Sequence, residues 1–265
     1  MINTRLLALA LAMIFAGNYS LFAQEQLSFH QPLSEPLQAT LHDLTWTEQE
    51  VSNIDNLLRG DVFLRRQATE ANFKKYAPKS RILHLATHTI INELQPMYSY
   101  LAFSPKDTLS EDGKLFAYEL YNLELNAHLA VLSACNTGSG KLVQGEGIMS
   151  LARSFMYAGC PSIAMSLWPV DDKSTSHIMA DFYAELIRGS SKDAALRTAK
   201  LNYLRHAGEI KSAPYYWAGF VLTGDTSPLE LSTARHHWQW IIPAIVLIII
   251  SAFLLIKKFR THTVE

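Results

Sequence analysis

Only two of the 265 residues are cysteine, too few for the disulfide framework that holds a small secreted domain together. Neither sign of charge is in excess. Lys and Arg number 23 against 24 Asp and Glu, so nothing builds the basic surface a nucleic-acid-binding protein needs. No repeat with a period of roughly 20 to 50 residues runs through the chain, which excludes a solenoid. Charge is missing altogether from two stretches near the ends. Residues 6–16 are apolar and follow Arg5, the pattern of a secretory signal spanning residues 1–23 with cleavage after Ala23; an uncleaved signal anchor is the alternative. Residues 238–256 carry no charge and approach the roughly 20 apolar residues that a transmembrane helix needs. Trp238 and Trp240 mark one interface, and Lys257, Lys258 and Arg260 follow the other end, which places the C-terminus in the cytoplasm. The organisation expected is therefore a signal (1–23), a linker (24–44), one domain outside the cytoplasm (45–228), a linker (229–237), a single membrane span (238–256) and a short cytoplasmic tail (257–265).

The remainder is long enough for one α/β domain with a full core. Val51, Ile54, Leu57 and Leu58 recur at helical spacing and predict a helix over 47–58, ended by Gly60. A short strand is expected at 62–64, and a helix over 70–76 capped by Thr69. Further strands are expected at 82–88, 98–104, 129–132, 162–167 and 220–223, with a helix or helical turn at 115–123 and helices at 145–157, 172–187 and 191–205. Strands alternating with helices predict a mainly parallel sheet covered on both faces.

Two of these strands end on reactive side chains. Ile82-Leu83-His84-Leu85-Ala86-Thr87-His88 ends on a histidine, and 129–132 leads into Ser133-Ala134-Cys135-Asn136-Thr137-Gly138. Groups that do chemistry gather at the carboxyl ends of strands in open α/β sheets. A nucleophilic cysteine with its histidine some 50 residues upstream is also the form of the caspase signature.

From residue 45 to 228 the chain resembles the CHAT domain, a relative, known from bacteria, of caspases and separases. The resemblance rests on Ala68-Thr69-Glu70-Ala71-Asn72-Phe73, on the two segments just named, and on Gly145-Glu146-Gly147. It continues in Leu151-Ala152-Arg153-Ser154-Phe155-Met156-Tyr157-Ala158-Gly159, Ser166-Leu167-Trp168-Pro169-Val170-Asp171-Asp172 and Tyr215-Tyr216-Trp217-Ala218-Gly219-Phe220. It implies a caspase-like three-layer α/β/α sandwich, with His88 as general base and Cys135 as nucleophile of a cysteine endopeptidase, and no cofactor. There are departures. Thr89 stands where the family usually has glycine, and a β-branched residue is strained there if the position needs φ > 0. Asn136 stands where the residue after the cysteine is usually acidic. CHAT domains commonly follow tetratricopeptide repeats; none fits before residue 45, so a separately encoded repeat protein is a possible regulator.

A thiol with a pKa near 8.5 is mostly protonated at neutral pH, and an imidazole in reach can take its proton and return one to the leaving amine. The backbone N–H groups of Thr89 and Cys135 are the expected oxyanion donors. Other residues keep two readings. Asp171, Asp172 and Glu146 either begin helices or contact substrate. His84 is expected to be a core histidine with a hydrogen bond rather than a metal ligand. Cys160 reads as a small buried residue starting a strand, although a bridge to Cys135 is arithmetically open. Thr137-Gly138-Ser139-Gly140-Lys141 lacks the first glycine and the final Ser/Thr of a phosphate loop and is rejected as one. A non-catalytic, membrane-tethered interaction module on the same fold is the competing function.

Overall fold

The computed structural model describes residues 19–23, 46–105, 112–133 and 146–231. Contacts divide the chain into Met1–Leu229 and Glu230–Glu265, and the fold below is that of the first unit.

Strand β1 (Tyr19–Ala23) is followed by helix α1 (Thr47–Leu58), β2 (Asp61–Leu64), α2 (Glu70–Tyr76) and β3 (Ile82–Ala86). The chain then forms β4 (Thr89–Ile90), β5 (Tyr100–Ala102), β6 (Lys114–Phe116) and α3 (Ala117–Leu120). It continues through β7 (Leu129–Leu132), α4 (Glu146–Tyr157), β8 (Ser162–Ser166), α5 (Asp172–Ile187), α6 (Lys192–His206) and β9 (Phe220–Gly224). Six strands make one sheet in the order β2-β1-β3-β7-β8-β9. All neighbours are parallel except β9, which runs antiparallel to β8. The mixed α/β class and mainly parallel sheet expected from the sequence are present.

The sheet corrects the expected start of the domain. β1 lies before residue 45, in the segment read as the end of a leader, and pairs with β2 on one side and β3 on the other. Cleavage after Ala23 would remove a strand bonded along both edges. The uncharged run 238–256 lies outside the described residues; among the described residues no helix is long and apolar enough to cross a membrane.

Pleat alternation sorts the layers. Leu83 and Leu85 of β3 enter a core shared with Phe73 of α2, Leu120 of α3, and Leu151 and Phe155 of α4. Phe73 packs against Phe103 with ring centres 5.5 Å apart and meets Phe155 edge-on at 6.4 Å. All three rings are fully buried, and burying each contributes about 1.5–3 kcal/mol. His84, on the opposite face of β3, meets Tyr183 of α5. α1 and α2 have the expected bounds, and Thr69 caps α2 by accepting from the Asn72 N–H. The buried face of α1 is Thr47, Glu50, Val51, Ile54 and Leu58. Leu57, expected on it, is exposed, and it is Arg59 rather than Gly60 that takes the left-handed turn, at φ 52°.

α4 ends in a Schellman turn, with Cys160 N–H donating to Phe155 O at 2.9 Å and Gly159 N–H to Met156 O at 3.1 Å. Gly159 has φ +110°, and a Cβ there would come within 2.5 Å of Leu125 O. The Cys160 thiol that follows is free and buried and donates to Ser162 O at 3.3 Å. Burial pushes it up to about 12, so it is inert at neutral pH.

The stretch after β3 differs from expectation. The strand expected over 98–104 is a 3-10 turn, Pro96–Tyr98, followed by β5, and of the helix or helical turn expected over 115–123 only α3 is helical, its start being β6. β4, β5 and β6 form a second, antiparallel sheet, whose cross-strand pairing outweighs local helical pattern.

Candidate active site at the carboxyl edge of the sheet

β3 and β7, the strands that lead to His88 and to Cys135, are hydrogen-bonded neighbours. Ile82 pairs with Leu129, and Leu85 with Leu132, a constant offset of 47 positions. The Ser133 N–H donates to Leu85 O at 3.0 Å and carries the ladder one step beyond β7. Cys135 lies outside the described residues. His88 is fully buried just past the end of β3, and its carbonyl accepts from the Ala102 N–H at 2.9 Å. The Thr87 hydroxyl donates to Ala102 O, so both residues are tied to the small sheet.

Thr89 sits in β4 opposite Leu101. Among the described non-glycine residues only Arg59 and Arg65 have positive φ, so the threonine is accommodated without the strain its position threatened. Antiparallel ladders alternate hydrogen-bonded and non-bonded pairs. Because Ala102 and His88 form a bonded rung, Thr89 and Leu101 do not, and the Thr89 N–H is turned away from β5. The side-chain oxygens Thr89 Oγ1 and Ser133 Oγ are both buried without a hydrogen-bond partner.

The loop after β8 reaches the same edge. Leu167 N–H donates to Gly219 O at 3.0 Å, and Trp168 Nε1–H to Tyr215 O at 3.0 Å. A Cβ on Gly219 would come within 2.8 Å of Val170 and 3.1 Å of the Trp168 ring, which is why this contact uses glycine. Asp171 is the N-cap of α5. Its Oδ2 accepts from the Ser174 N–H at 3.0 Å and the Ser174 hydroxyl at 2.7 Å, and Lys211 Nζ lies 2.8 Å from Oδ1. Partial burial works against ionisation, but the hydrogen bonds from Lys211 and Ser174 hold the carboxyl below its usual range. Asp171 thus caps α5 through Oδ2, while Lys211 holds its Oδ1.

Asp172, the next residue, is half-buried, and burial followed by the charges of Glu50 and Asp171 pushes it up to about 6. The sign of its effect on stability follows from linkage. A carboxyl raised from 3.8 in the unfolded chain to about 6 in the fold imposes no cost below the lower value and its full cost above the higher one. Asp172→Asn is therefore expected to stabilise the protein at pH 7 by about 1–2 kcal/mol, a value discounted for solvent screening, and to change nothing near pH 3. Urea melts at the two pH values check this; a variant less stable than the parent at pH 7 would contradict the assignment.

Behind this edge runs a buried polar chain. Tyr183 OH lies 3.1 Å from His84 Nδ1, and His84 Nε2 lies 2.9 Å from Glu50 Oε1, an ion-pair approach outside hydrogen-bond geometry. Their side chains are 0% and 4% exposed for His84 and Glu50. His84 is thus the hydrogen-bonded core histidine expected. Glu50 was not singled out from the sequence; its signal was a carboxylate on the buried stripe Thr47, Val51, Ile54 of α1. Glu146 is the first residue of α4.

The family profile described as the CHAT domain matches residues 15–225, which includes β1. Tetratricopeptide repeat protein 28 of Mus musculus is 33% identical over 214 residues, covering 69% of this chain and 9% of that protein. The Homo sapiens protein of the same name is 33% identical over 116 residues, covering 44% of this chain and 5% of its own length. The chain thus spans less than a tenth of the curated relatives it matches, and the resemblance extends beyond bacterial proteins.

Proposed function

The chain belongs to the CHAT domain family, which is related to the cysteine peptidases, and on that premise we propose that it is a cysteine endopeptidase with His88 as general base and Cys135 as nucleophile. The observation that carries this reading is the register of β3 on β7. The two strands are parallel and pair from Ile82 with Leu129 to Leu85 with Leu132, so the segments that carry His88 and Cys135 leave neighbouring strands at the same edge of the sheet. The imidazole takes the thiol proton and delivers it to the departing amine. The Thr89 N–H, free of the β5 ladder, joins the Cys135 N–H in binding the oxyanion. The Ser133 hydroxyl, unpartnered just past the end of β7, leaves hydrogen-bonding capacity beside the proposed nucleophile. Glu146 remains the candidate for a substrate contact, since Asp171 is engaged as a cap and Asp172 adjoins Glu50.

The uncharged run 238–256 and the basic residues after it support tethering to a membrane, with the enzyme outside the cytoplasm. The names of the mouse and human relatives support a repeat protein as the working partner. A second reading, an interaction module without catalysis, is favoured by the full burial of His88, since a base must be reached by substrate. Labelling with a thiol-directed peptidase inhibitor separates the two. Modification is expected at Cys135 and is expected to be lost in His88→Ala; labelling that ignores His88 would remove the peptidase reading.

A further inference from the structure

Ten large apolar side chains stand exposed among the described residues, and four of them, Leu94, Met97, Tyr98 and Tyr118, fall within one stretch of the chain around the small sheet. The register explains why they gather. Thr89, Leu101 and Leu115 form one cross-strand row, and Leu101 and Leu115 are buried in the core. Ile90, Tyr100 and Phe116 form the alternate row and so face outward. That row continues into a platform of rings. Phe116 stacks on Tyr118 with centres 5.2 Å apart at 13°, Tyr98 meets both edge-on at 6.3 and 5.6 Å, and Tyr100 lies 5.2 Å from Phe116. Clustered, exposed Tyr and Met are the chemistry of protein recognition surfaces.

Carboxylates slightly outnumber ammonium groups around the platform, Glu70, Glu119 and Asp112 against Lys74 and Lys114. Desolvation by its neighbours, and then Glu119, Tyr98, Asp112 and Glu70, raise the Tyr118 hydroxyl. Lys74 is held between Glu70 and Glu119, and Lys114 already places its ammonium 5.7 Å from the Tyr100 ring centre. Rings flanked by carboxylates favour a guanidinium or ammonium group and disfavour phosphate. The platform also starts close to the proposed base: Ile90 is two residues after His88, about 7 Å along an extended chain.

We propose that the face formed by Tyr98, Tyr100, Phe116 and Tyr118 is the docking surface for an extended, arginine- or lysine-bearing segment of the polypeptide that the enzyme cleaves. The identification of that polypeptide as substrate rests on the peptidase reading above; the binding does not. The segment lies across the rings with its cations over their faces, and its continuation reaches the carboxyl edge of β3.

The test uses the full chain with Cys135→Ala, so that no probe is consumed. Two fluorescent peptides are titrated, one alternating arginine and alanine, the other its twin with glutamate for arginine. The arginine peptide is expected to bind at least about tenfold more tightly than its twin, and Tyr98→Ala with Tyr118→Ala to weaken it by about tenfold. Tyr215→Ala, an exposed tyrosine elsewhere, is expected to leave binding unchanged. Asp112→Lys reverses an exposed charge without touching a ring and is expected to weaken binding in the same direction, which covers loss of folding in the double variant. Equal binding of the twins would overturn the proposal. So would undiminished binding to the folded ring variants, a preference for anionic vesicles, or ring-dependent self-association in light scattering, which would make a second copy the occupant. Arginine-selective binding in a protein whose Cys135 resists inhibitor would keep the surface and remove the peptidase.

Discussion

On the peptidase reading, replacing His88 by alanine is expected to lower kcat/KM for peptide hydrolysis by about 10³-fold, together with a fall in melting temperature because the imidazole is fully buried. Without the imidazole, Cys135 has the thiolate fraction of an ordinary thiol, a few per cent at pH 7, and the leaving amine has no acid. The residual rate should then climb with pH toward about 8.5, the range of a free thiol, whereas the parent enzyme reaches its plateau earlier. The pH profile separates this from loss of fold, which would scale the whole curve without moving it. A loss of less than about tenfold, or a residual rate flat in pH, would mean that His88 does not serve the thiol. Cys160 cannot substitute for Cys135, because its buried thiol is pushed up to about 12.

Glu50→Ala is the second change with a large expected effect. The carboxylate is 4% exposed and stands against His84 Nε2, whose ring is held on its other side by Tyr183 OH. Truncation removes the carboxylate that stands 2.9 Å from a fully buried ring nitrogen and opens a cavity on the buried face of α1, a loss of about 2–4 kcal/mol. For a domain of this size that corresponds to a fall in Tm of roughly 5–15 °C. One term offsets it, since Asp172 loses a neighbouring like charge; Glu50→Ala in the Asp172→Asn background should therefore cost more than in the parent. Thermal melts of the four proteins form the cycle that measures this coupling. Equal costs in both backgrounds would show that the two carboxylates do not interact. His84→Leu, which strands the buried Glu50 carboxylate and the Tyr183 hydroxyl, should cost at least as much as Glu50→Ala.

α1, α2 and α5 were legible to the residue, because each carries its own instructions: an apolar stripe, a capping Thr69 or Asp171, and a break after the last turn. β1 was not legible. Tyr19–Ala23 follows an apolar run, and the local pattern of a leader absorbs it; its strand character lies in partners at Asp61 and Ile82 that no local window contains. The small sheet failed for a related reason. Its three strands are two or three residues long, below the length at which period-two alternation can be recognised, and only pairing defines them. His84 could be assigned to the core from the strand around it, but the identity of its partner required knowing that α1 and α5 lie over the same face. Thr89 is the instructive departure from the family pattern. Glycine at that position suggested a need for positive φ, and β4 meets the position with extended backbone instead.

The place of β1 also bears on how the protein is made. Its neighbours in the sheet, β2 and β3, begin about 40 and 60 residues further along the chain. At synthesis rates of about 5–20 residues per second, an emerging Tyr19–Ala23 waits roughly 3–12 s before β3 leaves the ribosome. Throughout that interval it is an apolar segment with no ladder to join, open to holdase chaperones and to pairing with the same segment on a neighbouring nascent chain. Mutations that slow translation between β2 and β3 should therefore reduce soluble yield without altering the melting temperature of the molecules that do fold.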